Sequence, residues 1–403
     1  MTHHRLLLAT ATIAALLAAG CEGPAGPAGP GGPAGADGEN GTDGKDGTDG
    51  ADGKDGTDAT GATFVGSASC KTCHPQEHKW WSYHGHGHAL VKVSGAKPAN
   101  PPYASFPAQP PKAGGKSYTW AEITYVVGGF ARKALFVDKD GHVINGATAQ
   151  YNLATTQWGP HQVATTPEKM NCARCHSTGY RASGSQGGLK GIVGTWQEED
   201  IGCERCHGAG SRHVAAKGYE PLRVDRSPTL CGGCHGIEPH GTIVADKGLI
   251  LHTQQWNELF STKMKIVACV DCHNPHQSAS FDDYSIGNDH KSIVTACESC
   301  HFKNTITGKV AKHTAALGGP SSCVTCHMPR AVKSATGNAA TFTGDMRSHI
   351  FRPNPDPTAP QFSSDGKSVK PYLTLDFVCR QCHTASDKTD AQLKTYATGY
   401  HSN

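Results

Sequence analysis

The pentapeptide Cys-x-x-Cys-His occurs eight times in this 403-residue chain, beginning at Cys70, Cys172, Cys203, Cys231, Cys269, Cys297, Cys323 and Cys379. The second cysteines are Cys73, Cys175, Cys206, Cys234, Cys272, Cys300, Cys326 and Cys382. The histidines that follow are His74, His176, His207, His235, His273, His301, His327 and His383. Two cysteines three apart share one side of a helical turn, so both thiols can reach the two vinyl groups of one porphyrin. The next histidine then lies under the iron. The motif therefore predicts eight covalently bound haem c groups. Zinc ribbons also use Cys-x-x-Cys, but they do not demand a histidine after every pair, and zinc is the weaker reading.

Haem also accounts for an otherwise deficient composition. The chain is 37% hydrophobic and 7% aromatic, thin for cores of this size, so something other than side chains must fill the interior. Of 17 cysteines, all but Cys21 belong to the motifs, which leaves no disulfide framework to build. The formal charge of +3 is offset on loading, because each ferric haem with ionised propionates adds roughly −1. An acidic loaded protein argues against nucleic acid as a partner.

The N-terminal residues divide in three. Residues 1–20 have a basic start, an apolar run and Gly20 before Cys21, the layout of a signal peptide too short to span a bilayer. Residues 21–22 then read as a lipidated cysteine anchor, although Ala18 stands where lipoproteins prefer leucine, and plain cleavage to a soluble periplasmic form is the alternative. Residues 23–58 carry glycine at every third position, a collagen-like stalk. As a triple helix it would reach roughly 110 Å at the polyproline-like rise and make the protein a trimer; the other reading is a charged, disordered spacer.

After a linker at 59–63, residues 64–403 hold all eight motifs as one octahaem domain. The expected fold is mostly α with long loops, organised around haem, with a small β insertion between the first two motifs. Residues 118–127, 133–137 and 142–144 read as strands, with a tight turn at Asp138-Lys-Asp-Gly141. Proline-rich residues 98–111 and 353–360 read as connectors.

Each iron also needs a sixth ligand. Beyond the leader and the motifs, fourteen histidines are available for eight positions, with Met170, Met264, Met328 and Met346 as competitors. The supply favours bis-histidine ligation, which keeps potentials low. His161, His252, His290 and His313 are candidates on spacing, with His78, His142, His240 and His401 in reserve.

Three stretches carry a resemblance: Cys172-Ala-Arg-Cys-His176-Ser-Thr-Gly-Tyr180, Gly194-Thr-Trp196, and Gly202-Cys-Glu-Arg-Cys-His207-Gly-Ala-Gly-Ser-Arg-His213. They are similar to multihaem cytochromes related to hydroxylamine oxidoreductase and its tetrahaem cytochrome partner, a likeness that covers most of residues 64–403. The resemblance implies that His213, after the Cys-His-Gly-x-Gly-Ser turn, ligates a neighbouring haem. His276 in Cys272-His-Asn-Pro-His276 and His349 in Met346-Arg-Ser-His349 match two further ligand positions of the group, and near the first motif either His86 or His88 fits. It also implies haems in alternating parallel and perpendicular pairs.

Two functions follow as expectations. One is an electron relay, exported to the outer membrane or cell surface or otherwise periplasmic, with redox proteins or extracellular acceptors as partners. The other is an oxidoreductase of the hydroxylamine oxidoreductase or nitrite or sulfur-compound reductase sort with one open iron. No Cys-x-x-Cys-Lys occurs, which argues against the reductases that use it. No other catalytic constellation stands out, so catalytic residues are expected to be none.

Overall fold

The computed structural model describes residues 61–162, 167–280, 292–302 and 322–401. The leader, anchor and stalk expected in residues 1–58, and His290 and His313, lie outside them.

Two sheets organise the described residues. The first has seven strands and lies between the first two motifs. Its spine runs Leu90–Lys92, Ile123–Gly128, Lys133–Asp138, His142–Val143, Glu168–Lys169, and Gly146–Asn152 and Gln157–His161 extend it beyond Lys133–Asp138. All its pairings are antiparallel, with Val126 opposite Phe136 and Val127 opposite Leu135. The predicted turn is present, with Gly141 at φ +91 and its N–H donating to Asp138 O.

Strand periodicity gives this sheet two buried faces. Val126, Ala134 and Phe136 point into a cluster with Phe106, Trp120 and Tyr151. Tyr125, Val127 and Val137 point the other way, onto Met170, Ala173, Ile192 and Trp196. Ala173 opens the helical turn of the second motif, so the sheet is the platform on which that motif is set.

The second sheet departs from expectation. Thr343–Met346, Val332–Asn338, Leu249–Leu251, Ile243–Asp246 and Ser368–Val369 form five strands in that order, with the middle pair parallel. The core beneath it includes Ile250, Ala331, Val332, Ile350, Leu373 and Phe377. Helices are correspondingly short, and the longest among the described residues have eight residues: Pro75–Ser82, Pro228–His235 and Asp390–Ala397. The expectation of a mostly α chain with one small β insertion is therefore corrected. Where a motif needs a single turn, the chain gains nothing from prolonging the helix, and the intervening segments satisfy their backbone groups by pairing with one another.

Two carboxylates tie the first motif to the third. Glu204, 3% exposed, accepts from Val65 N (3.0 Å), Gly66 N (2.8 Å) and Gly210 N (2.7 Å). Glu198 accepts from Ser67 N (2.8 Å) and Ser67 Oγ (3.0 Å), while Ser67 Oγ accepts from Cys203 N (3.0 Å). Truncation at Glu204 strands three donors, one buried and two half-buried. Glu204→Ala is expected to cost roughly 3 kcal/mol or more, read as a lowered denaturation midpoint. An unchanged midpoint would show that water replaces the carboxylate.

Candidate functional site

Each motif folds as one helical turn or its continuation. In five of them the histidine N–H donates to the carbonyl of the first cysteine: His74 to Cys70 (2.9 Å), His176 to Cys172 (3.1 Å), His273 to Cys269 (2.9 Å), His301 to Cys297 (2.9 Å) and His383 to Cys379 (2.8 Å). That bond closes the turn and brings the imidazole beside the two thiols. In the fourth motif Trp256 packs so closely on Gly232 that a Cβ there would collide with it.

Five motif histidines face a second imidazole. His74 faces His213 at 6.2 Å between ring centres, His207 faces His276 at 6.1 Å, and His273 faces His349 at 6.1 Å. His235 faces His86 at 6.2 Å, and His327 faces His401 at 5.8 Å. A metal–imidazole bond is about 2 Å long, so a metal between two ring nitrogens sets the ring centres roughly 6 Å apart. The observed spacing has room for one atom and leaves the rings out of mutual contact.

The remaining ring nitrogens support this geometry. His176 Nδ1 donates to Ala89 O (2.8 Å), His207 Nδ1 to Arg223 O (3.0 Å), His213 Nδ1 to Glu220 O (2.7 Å) and His327 Nδ1 to Phe351 O (2.9 Å). Fixing Nδ1–H in this way presents Nε2 as the free donor atom and orients the ring. Burial pushes the imidazoles of His86, His176, His273 and His276 below their ordinary pKa, and holds His349 at about 3. Neutral imidazole is the form that binds metal.

The surroundings fit porphyrins. The indole N–H groups of Trp80, Trp196 and Trp256 are buried without an acceptor, suited to propionate oxygens. Ile266 (87% exposed) and Val294 (40%) are exposed beside the fifth and sixth motifs, apolar area that a macrocycle would cover. Among the described residues no three His, Cys, Asp or Glu side chains converge as a zinc site requires.

The other candidates separate. His86 stands opposite His235, whereas His88 turns its Nε2 to Ser82 O (2.9 Å) and stacks on Phe130. His161 Nε2 meets Glu168 Oε2 (3.1 Å). His252 is buried, and its pKa is pushed down to about 4 by burial and by Lys133. Lys133 donates to Ser334 O (2.9 Å) and also depresses His161 and His176. Lys133 thus supplies the positive charge here, beside imidazoles that burial and its own charge hold neutral. Of the reserve histidines, His401 stands opposite a motif histidine, a role with no local signal in the sequence.

Thiol neighbours give the order of the motifs in space. Cys70 meets Cys203, Cys175 meets Cys234, Cys231 meets Cys269, and Cys297 meets Cys323. Cys206 also lies near Cys231 and Cys234, Cys272 near Cys300, and Cys326 near Cys379 and Cys382. By these contacts the motifs succeed one another as first, third, fourth, fifth, sixth, seventh and eighth, and the second branches from the fourth.

Residues 145–208, which span the second and third motifs, match the family model described as cytochrome c554 and c-prime. Over those residues, about a sixth of the chain, it is similar to a c-type cytochrome family. No curated protein matches it by sequence. The chain is similar to the octahaem sulfite reductase MccA of Wolinella succinogenes, with 15% identity and a TM-score of 0.51, covering 78% of this chain and 64% of that one. It is also similar to the outer cell wall cytochrome OcwA, with 18% identity and a TM-score of 0.47, covering 82% and 86%. An undecahaem cytochrome from the S-layer of Carboxydothermus ferrireducens aligns at 18% identity and a TM-score of 0.44, covering 83% and 59%.

Proposed function

We propose that this chain binds eight haems and relays electrons along them in extracytoplasmic respiration. The observation that carries the reading is the unbroken succession of neighbouring motifs from Cys70 to Cys382. Haem supplies one-electron chemistry when bound. The chain's own residues attach it through the sixteen motif cysteines, fix the rings of His176, His207 and His327 by Nδ1 bonds, and space the irons by the order of the turns. His213, His276, His86, His349 and His401 are assigned as distal ligands opposite His74, His207, His235, His273 and His327. Redox proteins or extracellular acceptors would exchange electrons with it, and a lipidated Cys21 with the stalk at 23–58 would hold it at a membrane surface, alone or as a trimer.

A second reading has its own support. Lys133 places positive charge near His176, the setting a small oxyanion needs at an open iron, and the similar octahaem protein named above is a sulfite reductase. Electron paramagnetic resonance of the oxidised protein, with its intact mass, separates the two. The relay predicts a mass with eight haems and every iron low-spin. A high-spin haem that binds sulfite or nitrite would replace it with the enzyme.

A further inference from the structure

Asp200 sits at the back of the second motif in an arrangement that the relay does not by itself require. Its Oδ1 accepts the N–H of Leu90 at 2.6 Å. That N–H belongs to the same peptide unit as Ala89 C=O, and Ala89 O accepts the Nδ1–H of His176 at 2.8 Å. The sequence carboxylate, amide, imidazole is therefore continuous, with one rigid planar peptide between the two side chains. A hydrogen-bonded chain of this kind is polarised as a unit, and the bond to Nδ1 sets the basicity of a ligating histidine.

Asp200 is held at φ +69, a conformation that costs energy for a residue with a side chain. Its backbone is fixed by Thr178 Oγ1, which donates to Asp200 O at 2.9 Å, and by the next residue, whose N–H donates to His86 O at 2.9 Å. The strained backbone keeps the carboxyl aimed at the Ala89–Leu90 peptide. The side chain also lines an open cavity of about 510 Å³ whose walls include His88, Lys92 and Lys97, so protons reach it from solvent. Glu198 and Glu199, in the strand just before it, act on it, and among the described residues no lysine or arginine is bonded to it.

We propose that Asp200 is a positioning residue for His176 that couples proton uptake to the redox state of the haem on the second motif, through the Ala89–Leu90 peptide. The inference rests on the haem assignment above. When that iron gains one electron from the haem on the neighbouring fourth motif, Asp200 gains one proton from solvent through the cavity, so charge and protons balance. The two effects share a sign. Ionised Asp200 strengthens the pull on Nδ1–H and makes the imidazole a stronger donor to ferric iron, which lowers the potential. Protonated Asp200 withdraws that pull, favouring ferrous iron. Burial, helped by Glu199 and Glu198 and opposed by the bonds from Leu90 and Ala89, pushes this carboxyl up to about 7, inside the working range of a periplasm.

The test is a spectroelectrochemical titration of the loaded protein between pH 5.5 and 8.5, beside its intact mass. One haem is expected to lose potential as pH rises through the neutral region, approaching tenfold in its redox equilibrium per pH unit, or about 59 mV for one electron. In Asp200→Asn the amide oxygen still accepts from Leu90, so the fold is kept while the charge is removed. That haem should then keep a raised, pH-independent potential, with the others unchanged. A slope that persists in Asp200→Asn, or a wild-type protein with eight haems and no such slope, overturns the proposal. A wild-type mass lacking one haem instead overturns the haem assignment beneath it. If Asp200→Asn does not fold, the wild-type titration alone decides.

Discussion

Replacing both cysteines of the fourth motif, Cys231→Ser with Cys234→Ser, is expected to abolish electron passage from the first motif to the eighth. The same pair of changes in the second motif, Cys172→Ser with Cys175→Ser, should leave that passage intact. Each variant loses one haem, so by mass the two are equivalent. They differ in place. The fourth motif meets the fifth and the second through Cys269 and Cys175 and lies near Cys206 of the third, whereas the second has its thiol contact with the fourth. Current through single molecules held between electrodes reads the difference, with intact mass confirming seven haems in both. Equal loss of current in the two variants would sink the branched order and place the second haem in the main line.

The second large effect concerns two histidines two residues apart. His86→Ala should convert one haem from low-spin to high-spin and change its potential, because the ring opposite His235 is lost. Axial ligation moves haem potentials over a range of about 0.8 V, so the shift should be plain in a redox titration. His88→Ala removes a ring that bonds Ser82 O and stacks on Phe130, and the resonance spectrum should not change. The reverse pattern would mean that the residues 84–88 turn over when haem binds.

The sequence announces its chemistry more clearly than its architecture. The cysteines and proximal histidines follow from spacing alone, because one helical turn is a local object. The hairpin around residues 138–141 is equally local, since β-branched and aromatic residues flank an Asp/Gly turn. The second sheet is a different case. Leu249–Leu251 has three residues, and its parallel neighbour Val332–Asn338 lies far along the chain, beyond three motifs. Neither strand carries a signal for the other.

Distal histidines divide in the same way. His213 and His276 follow turns whose residues resemble known ligand positions, and the structure sets them opposite His74 and His207. His401 sits near the C-terminus with nothing local to mark it, and His86 and His88 are alike until the chain is folded. Asp200 shows how far a local reading falls short: it acts through the backbone of Ala89 and Leu90, two residues whose side chains play no part.

The pairing of histidines from distant segments also fixes a timetable. The ring opposite His74 comes from after the third motif, the ring opposite His207 from after the fifth, and the ring opposite His327 from the last few residues of the described chain. A nascent polypeptide emerging N-terminus first can attach its first haem early but cannot complete that haem's coordination until His213 follows. A site whose second ring lies downstream would therefore spend an interval with one face of its metal unguarded, whereas the ring opposite His235, that of His86, precedes its motif. Maturation of such a chain is a race between chain delivery and unwanted ligands, and a truncation at the extreme C-terminus would damage a haem whose own attachment motif lies well upstream.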